Sequence, residues 1–324
     1  MSSAFDVLGI GNAIVDVISR ADDTFLKKHA LVKGSMALID EARAETLYAD
    51  MGPGVEVSGG SCGNTMAGVA SFGSKGIYVG KVRNDQLGAV FGHDLRATGV
   101  SFTTAQATDG PATARCLILV TPDAQRTMNT YLGACTGLGP ADIDPAQVAS
   151  AGVTYVEGYL WDPPEAKKAV LKAFDAARAA GRKVSITLSD SFCVDRYRDE
   201  FRALLRERVD ILFANEAEIM SLYQVDSFDK AVEAARAENK ICALTRSEKG
   251  SVVVRGPEIH AVPAAPVAKV IDTTGAGDLY ASGFLVGLMR GKPLAECARL
   301  GGIAAAEVIS HVGARPEAAL KGLV

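Results

Sequence analysis

Val270-Ile-Asp-Thr-Thr-Gly-Ala-Gly-Asp-Leu-Tyr-Ala-Ser-Gly-Phe-Leu-Val-Gly-Leu-Met-Arg290 is the stretch from which the rest of the chain is read. Val270 and Ile271 close an apolar run that predicts a strand. Thr273 to Gly277 form a hydroxyl- and glycine-rich turn, and Asp278 to Arg290, small or apolar and free of proline, predict a buried helix. A strand that turns through glycines into a helix aims free backbone N–H groups at one spot. Glycine also lets the backbone approach a ligand closely and take positive φ. Such a spot favours an anion, most commonly a phosphate, and a carboxylate placed beside it is repelled by that anion. Asp278 has a reason to be there if it takes the proton of a neutral hydroxyl that attacks the phosphate. The backbone of Gly275, Ala276 and Gly277 would then neutralise charge developing on the transferred phosphoryl group. The plainer reading is a glycine turn with Asp278 as a first-turn carboxylate complementing the helix dipole. Local chemistry leaves both open.

Composition narrows the field. The chain has 324 residues, 48% of them apolar and 22% charged, which excludes a disordered protein. A length of this size fits one large domain or two. The net charge of −4 gives no basic footprint for nucleic acid. Cys62, Cys116, Cys135, Cys193, Cys242 and Cys297 form no CxxC and no Cys/His cluster with zinc spacing, so free thiols in a reducing cytoplasm are expected. Met1-Ser-Ser-Ala-Phe-Asp6 has no basic or hydrophobic leader region, and no apolar run is long enough to span a bilayer, so neither secretion nor membrane anchoring is expected.

The N-terminal strand Phe5–Ile10 runs into Gly9-Ile-Gly-Asn-Ala-Ile14, which mimics a dinucleotide-binding fingerprint. Its third glycine is missing, and Ile14-Val-Asp-Val-Ile18 alternates like a second strand where that fingerprint requires a helix. Asp16 interrupts the apolar alternation and faces either water or a ligand. Ser35–Ile39, Val100–Ala107, Thr113–Val120 and Arg126–Tyr131 are further short alternating segments; Thr121-Pro-Asp-Ala separates the last two. With no helix between them, the last three predict a meander outside any parallel sheet, part of a small β lid. From Ala151 onward strands and helices alternate strictly, with strands at Thr154–Glu157, Lys183–Leu188, Asp210–Phe213, Ile241–Thr245 and Ser251–Arg255. This pattern predicts a mostly parallel sheet covered by helices on both faces, with ligands gathered at the carboxyl ends of its strands. The large α/β domain is expected over residues 1–13, 45–99 and 136–324, and the lid over 14–44 and 100–135.

Asp272-Thr-Thr-Gly-Ala-Gly-Asp278 resembles the C-terminal signature of the PfkB, or ribokinase-like, carbohydrate and nucleoside kinases. Val57-Ser-Gly-Gly-Ser-Cys-Gly-Asn64 resembles their N-terminal signature, and Gly11-Asn-Ala-Ile-Val-Asp16 is similar to the start of nucleoside-directed members. The resemblance runs from about residue 5 to residue 313. It implies ATP and Mg²⁺ as cofactors, Asp278 as catalytic base, and Gly275, Ala276 and Gly277 as an anion hole. It implies that Asn12, Asp16, Gly59, Gly60 and Asn64 bind the acceptor's hydroxyls and that Arg126 reaches the phosphates. Asn215-Glu-Ala-Glu218 resembles the family's NxxE motif, in which Glu218 holds Mg²⁺ through water; an Asn helix cap with first-turn acids is the simpler alternative. Thr245-Arg-Ser-Glu-Lys-Gly250 resembles the nucleotide loop, giving Asn215, Thr245, Ser247 and Gly250 as nucleotide contacts, although Ser247 stands where glycine is usual. Asp272 and Thr274 resemble positions that supply oxygens to a monovalent cation such as K⁺. The last helix, from Leu294 to Ser310, is expected to wall the adenine pocket. The expected acceptor is a ribonucleoside, adenosine first, with inosine, guanosine, ribose or fructose as alternatives. A nucleotide sensor without chemistry is the rival from another class. Met36 stands where animal-type adenosine kinases carry a glutamine near the purine, which leaves base selectivity open. A monomer or homodimer is expected.

Overall fold

The structure, a computed structural model, describes residues 3–123 and 125–324. Met1, Ser2 and Ala124, the last in the turn expected after Val120, lie outside the described residues. The first half of the chain runs β1 (Phe5–Ile10), β2 (Ile14–Arg20), α1 (Asp23–Lys28), β3 (Met36–Leu38), α2 (Glu41–Asp50), β4 (Gly54–Ser58), α3 (Ser61–Ser71), β5 (Gly76–Val79), α4 (Gln86–Ala97), β6 (Ser101–Phe102), β7 (Ala114–Val120) and β8 (Arg126–Tyr131). The second half runs α5 (Pro145–Ser150), β9 (Ala151–Glu157), α6 (Pro164–Ala179), β10 (Lys183–Thr187), α7 (Ser191–Glu207), β11 (Ile211–Asn215), α8 (Glu216–Tyr223), α9 (Phe228–Ala237), β12 (Ile241–Thr245), β13 (Ser251–Arg255), β14 (Glu258–Val262), α10 (Ala276–Met289) and α11 (Leu294–Val308). This is the ribokinase-like α/β fold expected from the sequence.

Nine strands form the main sheet in the order β14-β13-β12-β11-β10-β9-β1-β5-β6. From β6 to β12 they are parallel; β13 and β14 close that edge as an antiparallel hairpin. Neighbouring residues along a strand enter opposite cores. Val7, Tyr155 and Phe213 pack with α3, α10 and α11, whereas Leu8, Val156 and Leu212 pack with α5 to α9. That two-sided burial explains why these strands read as continuous apolar runs. All six cysteines are free and buried.

The second sheet has the order β3-β8-β7-β2-β4. It is mixed and not a meander: β2 lies parallel to β7 and antiparallel to β4, and β3 lies parallel to β8. Its membership also departs from the expected division of the chain. β4, within the 45–99 segment assigned to the large domain, pairs Val57 with Asp16 and Val55 with Ile18 of β2. β6, assigned to the lid, instead pairs Ser101 with Ile77 and Phe102 with Tyr78 on the edge of the main sheet. The parallel pairing of β6 is possible because α4 supplies the crossover that a parallel neighbour needs. Among the described residues, no helix is long and apolar enough to cross a membrane.

A third departure concerns the decisive stretch itself. Val270 and Ile271 form no strand; they are 55% and 38% exposed, and the chain from 263 to 275 is irregular. Pro263 and Pro266 follow β14 and have no N–H to extend a ladder. The glycine turn is therefore reached along the end of α11, where the Ile271 N–H donates to the Ile309 carbonyl at 2.8 Å.

Candidate active site

Gly275 caps α10 at φ 80°, ψ −2°. A Cβ there would lie 2.8 Å from the Cβ of Ala314, so conformation and space both require glycine. At Gly277 an added Cβ would meet nothing within 4 Å, and the residue is exposed, so this part of the turn faces open space. The first N–H groups of α10 have no helical acceptor four residues back, although that of Ala276 donates to the Thr273 carbonyl at 3.3 Å. They face a cleft lined by Ser61, Thr187, Asn215, Glu218, Thr245 and the Thr273–Asp278 turn.

Asp278 is the third residue of α10. Its carboxylate accepts hydrogen bonds from Ser61 Oγ at 2.7 Å and Asn64 Nδ2 at 3.0 Å, both in the first turn of α3. Burial pushes its pKa up to about 6 against the pull of Asn64, Ser61 and the Arg315 charge. The Asn64 Oδ1 is buried without a partner. The first turn of α3 gets there through Gly59 and Gly60. A Cβ at Gly59 would lie 2.4 Å from the Asp16 carboxyl group, and one at Gly60, whose φ is 80°, would lie 2.4 Å from the Asn12 carbonyl oxygen. Both N-terminal motifs thus close on one another. Burial also raises the pKa of Asp16 to about 6, opposed by Arg315 and Arg126 and reinforced by the negative charge of Asp278.

Asn12 is engaged by the protein itself. Its backbone N–H and its Nδ2 both donate to Glu157 Oε1, at 2.9 and 2.6 Å, while the Cys62 N–H donates to Oε2 at 2.9 Å. Glu157, 1% exposed, therefore ties the β1–β2 turn to the start of α3; burial pushes its pKa up to about 7. The sequence reading missed Glu157, although a charged residue ending an apolar strand was a visible signal. It also missed Ser61 and Arg315.

Arg126, on β8, donates from Nη1 to Asp272 Oδ2 and, at 2.8 Å, to Thr274 Oγ1. Asp272 additionally accepts from the Thr274 N–H and Oγ1 and from the Gly313 N–H. A carboxylate offers about four lone-pair sites, and these contacts use them. The pair expected to hold a monovalent cation is thus occupied by a guanidinium, and Asp272 and Thr274 do not fit that ion.

Asn215 and Glu218 form a reciprocal capping box at the start of α8, with Asn215 Nδ2 donating to Glu218 Oε1 at 2.6 Å. The capping alternative is therefore present, and both residues still line the cleft. Burial, with the Asp190 charge behind it, pushes Glu218 up to about 7. A carboxylate desolvated this way favours a nearby cation. Among the described residues no cluster of three or more His, Cys, Asp or Glu side chains could hold a metal by itself. The arrangement fits Mg²⁺ that arrives with phosphates and keeps its waters. Thr245 lines the cleft at the end of β12. Ser247, exposed, carries φ 50°, which explains why glycine suits that position. Gly250 has no room for a Cβ, 2.1 Å from the Val262 carbonyl oxygen. Ser247 and Gly250 shape the turn beyond Thr245 and are not among the cleft's lining residues. Neither is any residue of α11, which packs on α10, β13 and β14; the apolar wall here is Tyr280 and Phe213.

Known proteins share this fold and sequence pattern. The sequence pattern of the pfkB family of carbohydrate kinases matches residues 36–319. The crystal structure of an adenosine kinase from Sinorhizobium meliloti is 55% identical, with TM-score 0.92 over 98% of each chain. That of a probable sugar kinase from Rhizobium etli is 53% identical, with TM-score 0.93 over 99% of this chain and 98% of the other. A cytidine kinase from Thermococcus kodakarensis is 28% identical over 290 residues, covering 86% of this chain and 97% of its own.

Proposed function

The chain belongs to the pfkB carbohydrate kinase family as a nucleoside or sugar kinase, and from that premise we propose that it transfers the γ-phosphoryl group of ATP to the 5′-hydroxyl of adenosine. The observation that carries the reading is the Asp278 carboxylate, clamped by Ser61 and Asn64 at the mouth of the first turn of α10. The acceptor hydroxyl donates to Asp278, which takes its proton as the oxygen attacks. The first-turn N–H groups of α10 receive the growing phosphate charge in a fixed geometry. Asn64 Oδ1, buried and unpartnered, is satisfied by a sugar hydroxyl.

Asp16 accepts both hydroxyls of a ribose cis-diol. It sits on β2 of the small sheet while Asp278 sits on α10, so a bound riboside bridges the small sheet and that helix. Drawing them together excludes water that would otherwise compete for the phosphoryl group. Arg126, paired with Asp272 and bonded to Thr274, ties β8 of the small sheet to the turn that carries the anion site. Mg²⁺ brought by the nucleotide would sit by Glu218 and Asn215 and would shield the phosphate charge. The uniformly reduced, buried cysteines suit a cytoplasmic enzyme.

The competing reading takes a sugar or another nucleoside, and it is supported by the sugar kinase and cytidine kinase among the relatives. Mass analysis of the product formed from adenosine and Mg-ATP tests the proposal. AMP and ADP in equal amounts support it; ATP unconsumed with adenosine but consumed with a sugar sinks it.

A further inference from the structure

Arg315 follows the Gly313–Ala314 segment that packs against Gly275, and no motif accounts for it. Its side chain reaches the end of β4 and the first turn of α3, the segment that also meets Asp16 at Gly59 and Asp278 at Ser61 and Asn64. Nη2 donates to Ser58 Oγ at 3.2 Å and lies 3.3 Å from where a Cβ on Gly63 would be, so a glycine there makes room for it. Nε and Nη1 are buried and have no hydrogen-bond partner. A structural arginine at such depth is normally forked onto a carboxylate, and this one is not. The charged and titratable groups around it come from several elements: Asp16 on β2, Asp278 on α10, Asp94 on α4 and Tyr78 on β5. Asp278 in turn faces Glu157 on β9 and Cys62 on α3, and Asp16 also feels Arg126 on β8. Two buried carboxylates needed in charged form thus share one guanidinium that neither of them binds directly.

We propose that Arg315 is a positioning residue of the acceptor site: its guanidinium, unpartnered at Nε and Nη1 and set against the β4–α3 segment that meets both Asp16 and Asp278, holds these two carboxylates in place and compensates their charge. The inference rests on the phosphotransferase reading. Burial lowers the pKa of Arg315 to about 10, which leaves it charged at neutral pH. Without it, Asp16 would face desolvation and the negative charge of Asp278, Asp278 would face desolvation, and proton uptake by Asp278 would disable the base.

The test compares the wild type with Arg315→Met and Arg315→Lys. The Met variant should move the acid limb of kcat/KM for the acceptor upward by about one pH unit, the scale of a lost opposite charge. It should raise the acceptor KM while leaving the ATP KM unchanged. The Lys variant, which keeps the charge and loses the planar fork, should hold the limb near its wild-type position and still raise the acceptor KM. A purely structural pin would lower the unfolding midpoint of Arg315→Met and leave the limb where it was; that result overturns the inference. Carbon-13 titration of the aspartate carboxyls in ligand-free wild type and Arg315→Met reads the same shift without turnover. Inactivity of the wild type on every acceptor would sink the kinase reading, while the titration would still decide the role of Arg315. An unmoved carboxyl titration overturns the role whatever the activity.

Discussion

Replacing Asp278 by Asn isolates the proton-accepting function from everything else the residue does. The geometry predicts that the variant folds. Asn is nearly isosteric, its Oδ1 can face the Nδ2 of Asn64 at 3.0 Å, and its Nδ2 can donate to Ser61 Oγ, whose hydroxyl hydrogen is free to rotate away. The substitution also removes a charge whose pKa burial has raised to about 6, so the unfolding midpoint should not fall at neutral pH. What the variant loses is the ability to accept the acceptor's proton. General-base loss costs roughly a hundredfold to ten-thousandfold in rate, equivalent to about 2.7–5.5 kcal/mol of barrier. Steady-state ADP release, with ATP affinity measured separately by calorimetry, separates the chemical step from binding. The wild type should also show an acid limb near pH 6, active above it and losing activity below as Asp278 takes up a proton. A variant that keeps kcat within about threefold of the wild type would refute the base assignment, because general-base loss typically costs at least about a hundredfold.

The two glycines of the turn should behave oppositely. Gly275→Ala forces an L-residue to φ 80° against Ala314 and should destabilise the fold by at least about 1–2 kcal/mol, read by chemical denaturation. Gly277→Ala meets no protein atom and should unfold like the wild type while ATP turnover drops, since its methyl group projects where the phosphate approaches. Because Arg126 fills the Asp272 and Thr274 oxygens, kcat should be the same in potassium, sodium and tetramethylammonium salts; a strong potassium requirement would show that the guanidinium leaves that site in the working enzyme. If Asp16 clamps the ribose diol, 2′-deoxyadenosine should lose on the order of ten- to a hundredfold in kcat/KM, the cost of an unpaired buried carboxylate. Asp16→Ala should narrow that gap while lowering both activities, and equal kcat/KM for the two substrates in the wild type would remove the role.

Much of this was legible in the chain because periodicity and glycine placement are local signals. The βαβ alternation after Ala151, the exact bounds of β12 and β13, and the helix after Gly277 follow from runs that need no partner to be recognised. The closure of Asp278 onto Ser61 and Asn64 joins residues more than two hundred positions apart, and only the paired motifs made it foreseeable. What failed depended on partners. Val270 and Ile271 are apolar, but the sheet edge beside them was already closed by β14 and the prolines that follow it. β4 and β6 fell outside the expected division of the chain because strand membership depends on which edge is free, which a short local pattern does not encode. Glu157 was visible only as a charge ending an apolar strand and Arg315 only as a single loop charge; the partners that define them lie far away in the chain. Asp272 looked like a cation ligand until Arg126, 146 positions away, was found on it.

The most direct test of the central claim is a competition in one vessel. Adenosine, inosine, guanosine, cytidine, ribose and fructose are supplied at equal concentration with limiting Mg-ATP, and the phosphorylated products are separated and weighed by mass spectrometry. The ratio of products reports relative kcat/KM without separate kinetics. The account predicts AMP as the dominant product, with ribose and fructose phosphates at least about a hundredfold lower, because a free sugar forgoes the binding energy of a base. A dominant sugar phosphate would contradict it, as would dominant phosphorylation of another nucleoside.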